Sequence, residues 1–308
     1  MAGLKQGTSP NVVKTALDGL FMAKFSEMPG PQIATADSPE VFNQESTDRA
    51  AVILETFKGP GLWTARAEDA NVNADTALAG DQKTYTVSNY ANSVDISKRF
   101  FDDDQHMAVK KMMEKMGNGA RITKNRNAMA IFRNATTTTL TGDGAALGSN
   151  THTNLNGDTV DNLLSTAFGE AALETAIVAL LEQLNQEGLV SGHEAGCLLV
   201  PPALYKDAVE VTESELRSGT AHNDVNVYSS KYGIVVKQSH HLGTADGGSD
   251  TFWALLGKDH SINRFKRQDI DTNLVSHEYQ RNNNYIYKGE FREVYGVQSY
   301  EGVIIGNS

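Results

Sequence analysis

His193-Glu194 opens the pattern of a zinc protease, but no second histidine follows one helical turn on, so that motif fails. His240-His241 is the best metal candidate in the chain. Adjacent residues of a strand point to opposite faces, so both rings do not reach one ion, and a surface or turn role is expected. Asp102-Asp103-Asp104 places three carboxylates in a row. Metal carboxylates must converge on a point, which consecutive residues at a helix start do not supply, so helix capping is the expected role. Gly59-Pro60-Gly61 and Gly117-Asn118-Gly119 lack the Gly-Lys-Ser/Thr ending of a phosphate cradle, and Gly142-Asp143-Gly144 lacks the third glycine of a dinucleotide loop. Ser-x-x-Lys-like and nucleophile-elbow patterns have no partner motifs. Cys197 is the only cysteine. It excludes an intrachain disulfide, and within the apolar Gly196–Val200 run it is expected to be a small core residue. The expectation is therefore no catalytic residue, no cofactor and no metal.

The elements that would position any site are readable in outline. Val12, Val13, Ala16, Leu17, Leu20 and Phe21 recur at helical spacing between Ser9-Pro10 and Pro29-Gly30-Pro31, which predicts a helix over Pro10–Phe25. It is too short to stand alone in water, so it docks on its own body or on a neighbour. Ala51–Phe57 reads as a strand, Gly59–Gly61 breaks it, and Thr84–Ser97 reads as extended with Tyr85, Val87 and Asn89 on one face. The weakly patterned stretch between them is long for a loop that binds nothing. Leu62 and Trp63 near its start mark it for docking. A long helix is predicted from Asp102 to about Asn134, weakened and open to bending at Gly117 and Gly119. Leu173, Ile177, Leu180, Leu181 and Leu184 predict a helix over Glu170–Gln186 that Gly188 ends. Pro201-Pro202 start another, to about Val211. Strands are predicted at Asn223–Tyr228, Gly233–Lys237, Thr251–Leu256, Tyr285–Tyr295 and Val297–Ile305.

Composition narrows the function. The formal net charge of −11 argues against sequence-independent duplex binding, which needs a basic footprint. Aromatic residues are only 7% of the chain, which suits strands, turns and arms better than an aromatic-lined pocket. No apolar run approaches a membrane span and no signal-peptide core is visible, so no membrane partner and a cytoplasmic synthesis are expected. The first residues are expected to stay on the chain instead of being removed by a protease.

One order of elements carries more. Thr141–Asn154, a Gly/Asn/Thr-rich loop with Asp143-Gly144, Leu147, Ser149 and His152, is followed by an amphipathic helix ending at Glu187-Gly188. Leu199-Val200-Pro201-Pro202 and a further helix come next. This resembles the major head subunit of Mu-like tailed bacteriophages, from about Asp102 to the C-terminus. The chain departs locally at Leu147-Gly148, where that family often has aromatics, and at His152-Thr153, where it often has His-Pro.

The resemblance implies an α+β chain with the Hong Kong 97-type phage capsid fold. In that fold residues 1–44 form an N-terminal arm and 45–98 an extended β-hairpin loop lying across a neighbouring subunit. Residues 99–195 form a peripheral domain with a long spine helix and β-sheet, 196–258 the axial domain, and 259–308 the C-terminal strands of the peripheral domain. The implied function is a major capsid protein that self-assembles into pentamers and hexamers of an icosahedral head enclosing double-stranded DNA. Portal and scaffold proteins are implied partners, a decoration protein an optional one, and packaged DNA a non-specific neighbour. The implied location is the virion, with assembly in the bacterial cytoplasm. Phe21, Leu62, Trp63, Tyr85 and Val87 are the candidate inter-subunit contacts. Lys-to-Asn cross-links occur in some shells of this fold, and Lys58 and Lys83 lie near the loop, but none is expected here. Two alternatives stay open: an encapsulin-like cellular shell of the same fold, and a soluble α+β enzyme.

Overall fold

The computed structural model describes residues 10–69, 71, 77–103, 106–215, 225–275 and 284–307. Its helices are α1 (Pro10–Phe25), α2 (Lys98–Asp102), α3 (His106–Arg133), α4 (Glu170–Leu181) and α5 (Tyr205–Thr212). Its strands are β1 (Asn43–Ser46), β2 (Ala51–Lys58), β3 (Leu78–Thr86), β4 (Ser88–Ser97), β5 (His152–Thr153), β6 (Thr159–Val160) and β7 (Leu163–Leu164). The C-terminal part adds β8 (Ala195–Val200), β9 (Val235–Gln238), β10 (Trp253–Gly257), β11 (Ile262–Val275), β12 (Asn284–Val297) and β13 (Val303–Gly306). A four-stranded sheet has the order β1-β11-β12-β4 and a five-stranded sheet the order β7-β13-β10-β8-β9. β2 and β3 form a hairpin joined to neither sheet.

The long β11–β12 ribbon lies between α3 and α1 on one side and its partner strands at the edges. α1 packs on α3 through Leu17 and Phe21, which join Met113, Met116, Tyr285 and Tyr287 in one buried cluster. Gly117 makes this crossing close: a Cβ there would stand 2.3 Å from the Phe21 carbonyl oxygen. Gly117 therefore has a packing role. α3 runs through it unbroken, and the glycine exists to let another backbone approach. Gly117→Ala is expected to push α1 off α3 and to cost about 1–3 kcal/mol, as overpacking does, while Gly119→Ala, with open space at its Cβ, is expected to be neutral or stabilising. Urea unfolding of the two variants checks the contrast.

Several boundaries differ from expectation for local reasons. Ser97 caps α2 by accepting a hydrogen bond from Phe100 N, so helix begins before the aspartates. Asp102 ends α2 and Asp103 is its C-cap, bonded to Arg99 O at 2.9 Å; Asp104 lies outside the described residues. α4 stops at Leu181 because Leu184 bridges to Val190 and the Asn185 side chain accepts from Glu187 N and Leu189 N, a turn completed by Gly188 at φ +77°. Pro201 and Pro202 form a turn, and α5 begins at Tyr205. The Asn223–Tyr228 strand is replaced where described: Tyr228–Tyr232 is a π-helical turn, and Asn223 and Asp224 lie outside the described residues. The last predicted strand is interrupted before β13.

The division of the chain also shifts. β4, placed by expectation in the 45–98 loop, is a full member of the body sheet, paired antiparallel with β12 from Ser88 to Ser97. The 196–258 unit is wider than its own residues. β7, β13 and α4 share its sheet or its core, where Leu173, Ile177 and Leu180 meet Leu198, Trp253 and Ile304. The apolar β10 needs a strand on each side to bury its backbone, and β13 is that partner.

Candidate assembly interface

The β2–β3 hairpin has two unlike faces. Its body-facing side is bonded to the rest of the chain. Tyr85 donates from its hydroxyl to Val297 O at 2.7 Å and accepts from Val297 N at 3.1 Å. Its ring lies on Gly296, where a Cβ would approach within 2.8 Å. Gly59 N donates to Glu187 Oε1 at 2.6 Å, Lys58 Nζ to Asn156 Oδ1 at 3.1 Å, and Gln298 Nε2 to Glu55 O. The outward side is bare. Ile53 and Phe57 are exposed there, Phe57 at 62%; Leu78, opposite Lys58 at the end of the hairpin, is exposed too, and the chain runs on to Leu62 at 76% and Trp63 at 95%. A two-stranded hairpin gains little stability in water by itself, and several large apolar side chains left bare close together mark a contact surface.

The five candidates thus separate. Leu62 and Trp63 stand at the free end of the hairpin. Val87 is half-buried at the β3–β4 junction, with its N–H on Ala50 O at 2.9 Å. Tyr85 is satisfied within the chain, as above. Phe21 is fully buried, with ring contacts to Phe25 and Tyr287 at 5.9 and 6.0 Å. In the subunit Tyr85 and Phe21 fix the hairpin and α1 to their own body, a correction to their place among surface contacts. Ile53, Phe57 and Leu78 were missed by sequence reading. β2 alternates plainly, with Ile53 and Phe57 on one face and Val52, Leu54 and Thr56 on the other, but both faces carry apolar residues, so the pattern alone does not reveal which side is outward. A second bare apolar group, Val225, Val227 and Val235, lies beside the π-helical turn.

Behind the hairpin sits the Asp143 loop. Asp143 Oδ2 meets His152 Nδ1 at 2.8 Å, and its Oδ1 accepts from Ala145 N at 3.1 Å and from the Thr141 hydroxyl. His152 is fully buried, its ring tilted by 30° against Tyr300 with centroids 4.7 Å apart, and its Nε2 is 3.3 Å from Leu147 O. Asn162 donates to Leu147 O and Val303 O at 2.8 and 3.2 Å. These residues carry the sequence motif, and their work is to lock the loop after α3 onto β13. Burial alone would raise the Asp143 pKa, but the His152 and Thr141 hydrogen bonds more than offset it and hold it at about 2. A carboxylate whose folded pKa lies below its ordinary 3.8 stabilises the fold above that value. We therefore expect this contribution, about 2 kcal/mol, to fade as pH falls from 3.8 towards 2. Asp143→Asn should lack it already at neutral pH. Urea midpoints measured across that range for both proteins check this.

An ionic cluster, buried at Arg264 and Glu293 and open to solvent at Asp37, ties the arm to the body. Arg264 reaches Glu293 Oε2 at 2.9 and 2.7 Å, Asp37 Oδ1 at 2.6 Å and Gln44 Oε1 at 3.0 Å. Lys124 of α3 grips both oxygens of Asp37 at 2.8 and 2.7 Å, and Tyr295 donates to Glu293 at 2.8 Å. Burial would raise the Asp37 pKa, yet Lys124 and Arg264 hold it below the ordinary value. No group of three or more His, Cys, Asp or Glu converges as a metal site among the described residues. His241 is engaged with Asp246 at 2.8 Å. No described helix is long and apolar enough to cross a membrane.

A family model described as phage capsid protein matches residues 80–305. The chain belongs to the phage capsid protein family. The capsid protein has the Hong Kong 97-type α+β fold and is a major shell subunit, located in the virion capsid and assembled with copies of itself. It is similar to the capsid of the cyanophage P-SCSP1u, with a TM-score of 0.57 at 13% identity, covering 91% of this chain and 90% of that one. It is similar to the capsid of Myoviridae phage XM1, with a TM-score of 0.53 at 11% identity, covering 92% and 95%. A virus-like particle from Pyrococcus furiosus also matches, with a TM-score of 0.55 at 9% identity, covering 96% and 99%. At these identities the likeness is one of fold. A sequence comparison with curated proteins finds no match.

Proposed function

We propose that this subunit occupies both pentamers and hexamers of an icosahedral head that encloses double-stranded DNA, in a phage of the Mu-like group. The observation that carries the reading is the group of bare apolar side chains at the hairpin, Trp63 among them. A neighbour covers it in the shell, and each square ångström of apolar surface so buried contributes about 25 cal/mol before ordering costs. Of the residues assigned by expectation to an N-arm, 1–44, the described part, 10–44, folds on its own subunit through Phe21, Val41 and Phe42. The 45–87 stretch is then the projection, 99–195 with 259–308 the peripheral domain, and 196–258 the nucleus of the axial one. Gly59–Gly61, between the end of β2 and Leu62, is the joint that lets one sequence fit two capsomer geometries; Gly117, held under α1, is not. The acidic balance keeps packaged DNA from adhering to the inner wall.

Assembly takes place in the bacterial cytoplasm with scaffold and portal proteins. Neither catalysis nor a lysine cross-link belongs to this reading. A cellular shell of the same fold is the second reading, and the Pyrococcus furiosus particle is its support; the phage family match over residues 80–305 favours the virus. Negative-stain microscopy of the purified protein tests the proposal. Closed shells support it, and a uniform 33.3 kDa species by light scattering under all assembly conditions contradicts it.

A further inference from the structure

β4 is the outermost strand of its sheet. It pairs with β12 through ten consecutive residues without a register shift, and no described strand pairs with its other edge. Its sequence, SNYANSVDIS, has one charge and neither proline nor lysine. Open edges are normally guarded by charges, prolines or bulges, because they template pairing with another chain. The hairpin strands carry such guards, with Lys58, Lys83 and the bulge between Glu55 and Phe57. β4 has none. Resting on the shell reading above, we propose that β4 is an assembly edge that pairs antiparallel with β4 of a second copy across a two-fold axis, Asn92 facing Asn92.

The register follows from symmetry and side chains. A two-fold axis perpendicular to the sheet keeps each face on its own side, so opposed residues differ by an even number. Centring on Asn92 sets half-buried Tyr90 opposite half-buried Val94, an aromatic against a β-branched residue. It sets Asp95 opposite Asn89 and Ala91 opposite Ser93, so no like charges meet. Centring on Ser93 instead would match Tyr90 with Ile96, which is already buried, and Asn92 with Val94. Asn92 is exposed and has Gly289 as its β12 neighbour. It borders a cavity of about 290 Å³ between the sheet and α3 that is also lined by Met116 and Ala120. Within the subunit Asn92 Oδ1 accepts from Ser93 N at 2.8 Å, and the side chain has room to turn so that the amides of two copies bond to each other on the axis.

The test is Asn92→Cys in assembled shells, oxidised and run on a non-reducing denaturing gel. Native Cys197 is 1% exposed and stays out of the reaction. Covalent dimers are expected from Asn92→Cys and from the double variant Ala91→Cys with Ser93→Cys, and not from Ala91→Cys alone. Shells whose Asn92→Cys stays monomeric, or whose Ala91→Cys dimerises equally well, overturn the edge and leave the shell reading standing. Failure of the unmodified chain to form shells overturns the shell reading itself. Charge variants keep the proposal falsifiable if the cysteine disturbs assembly. Asn89→Asp faces Asp95 of the other copy, and shell formation at low salt should need roughly tenfold more protein, whereas Asn89→Lys should assemble at least as readily as the parent. Equal behaviour of the two variants contradicts the pairing.

Discussion

Arg264→Ala is expected to lower the unfolding free energy by about 3–5 kcal/mol, the cost of breaking a buried ion pair from one side. Arg264 and Glu293 side chains are 4% and 2% exposed. Removing the guanidinium leaves the Glu293 carboxylate buried with only the Tyr295 hydroxyl, and leaves Asp37 to Lys124 alone. Much of the loss is this stranded charge, not the net worth of the pair. Arg264→Lys should recover part of it, because an ammonium keeps the charge but cannot reach Glu293, Asp37 and Gln44 with one planar fork. Urea unfolding at neutral pH gives the order parent, Arg264→Lys, Arg264→Ala. The cluster joins Asp37 before β1, Lys124 on α3 and both long strands, so its loss should also free the segment around Asp37 to limited proteolysis.

Trp63→Ala is expected to leave the isolated subunit within about 0.5 kcal/mol of the parent, since the side chain touches little of its own body. Its effect should appear on assembly. A buried tryptophan anchor contributes about 2 kcal/mol or more to a contact, and a shell repeats the contact in every subunit. Sedimentation of assembly reactions should show shells lost or greatly reduced, with soluble subunits of unchanged unfolding profile. Phe57→Ser on the outward hairpin face should act in the same direction, and normal particle yields from both would remove the hairpin from the interface.

The sequence makes some of this legible and hides the rest for physical reasons. α1 is readable because its apolar spacing and its flanking prolines agree, and its ends fall at Pro10 and Phe25. The tip residues Leu62 and Trp63 are readable because a large apolar pair in a Gly- and Pro-marked loop has no local core to enter. Phe21 and Tyr85 are not separable from them by type. Whether an aromatic faces its own body depends on distant glycines, Gly117 under Phe21 and Gly296 under Tyr85, and these contacts span long stretches of chain. The β4 edge is hidden for the same reason: a strand's place in a sheet is set by pairing with residues 284–293, not by its own pattern. The Asp143–His152 loop lies between these cases. Its residues stand out in the sequence, but only the buried geometry shows that a reactive-looking Asp–His pair is a structural clamp.

The central claim is that a sister copy covers the bare end of the hairpin in the shell. The chain has two tryptophans, and Trp253 is fully buried in its own subunit while Trp63 is 95% exposed. Acrylamide quenching of tryptophan fluorescence therefore reports on Trp63 almost alone. The account predicts strong quenching in dissociated subunits and its near disappearance, with a shift of emission to shorter wavelength, in intact shells. A Trp63 signal equally quenchable in both states would contradict it.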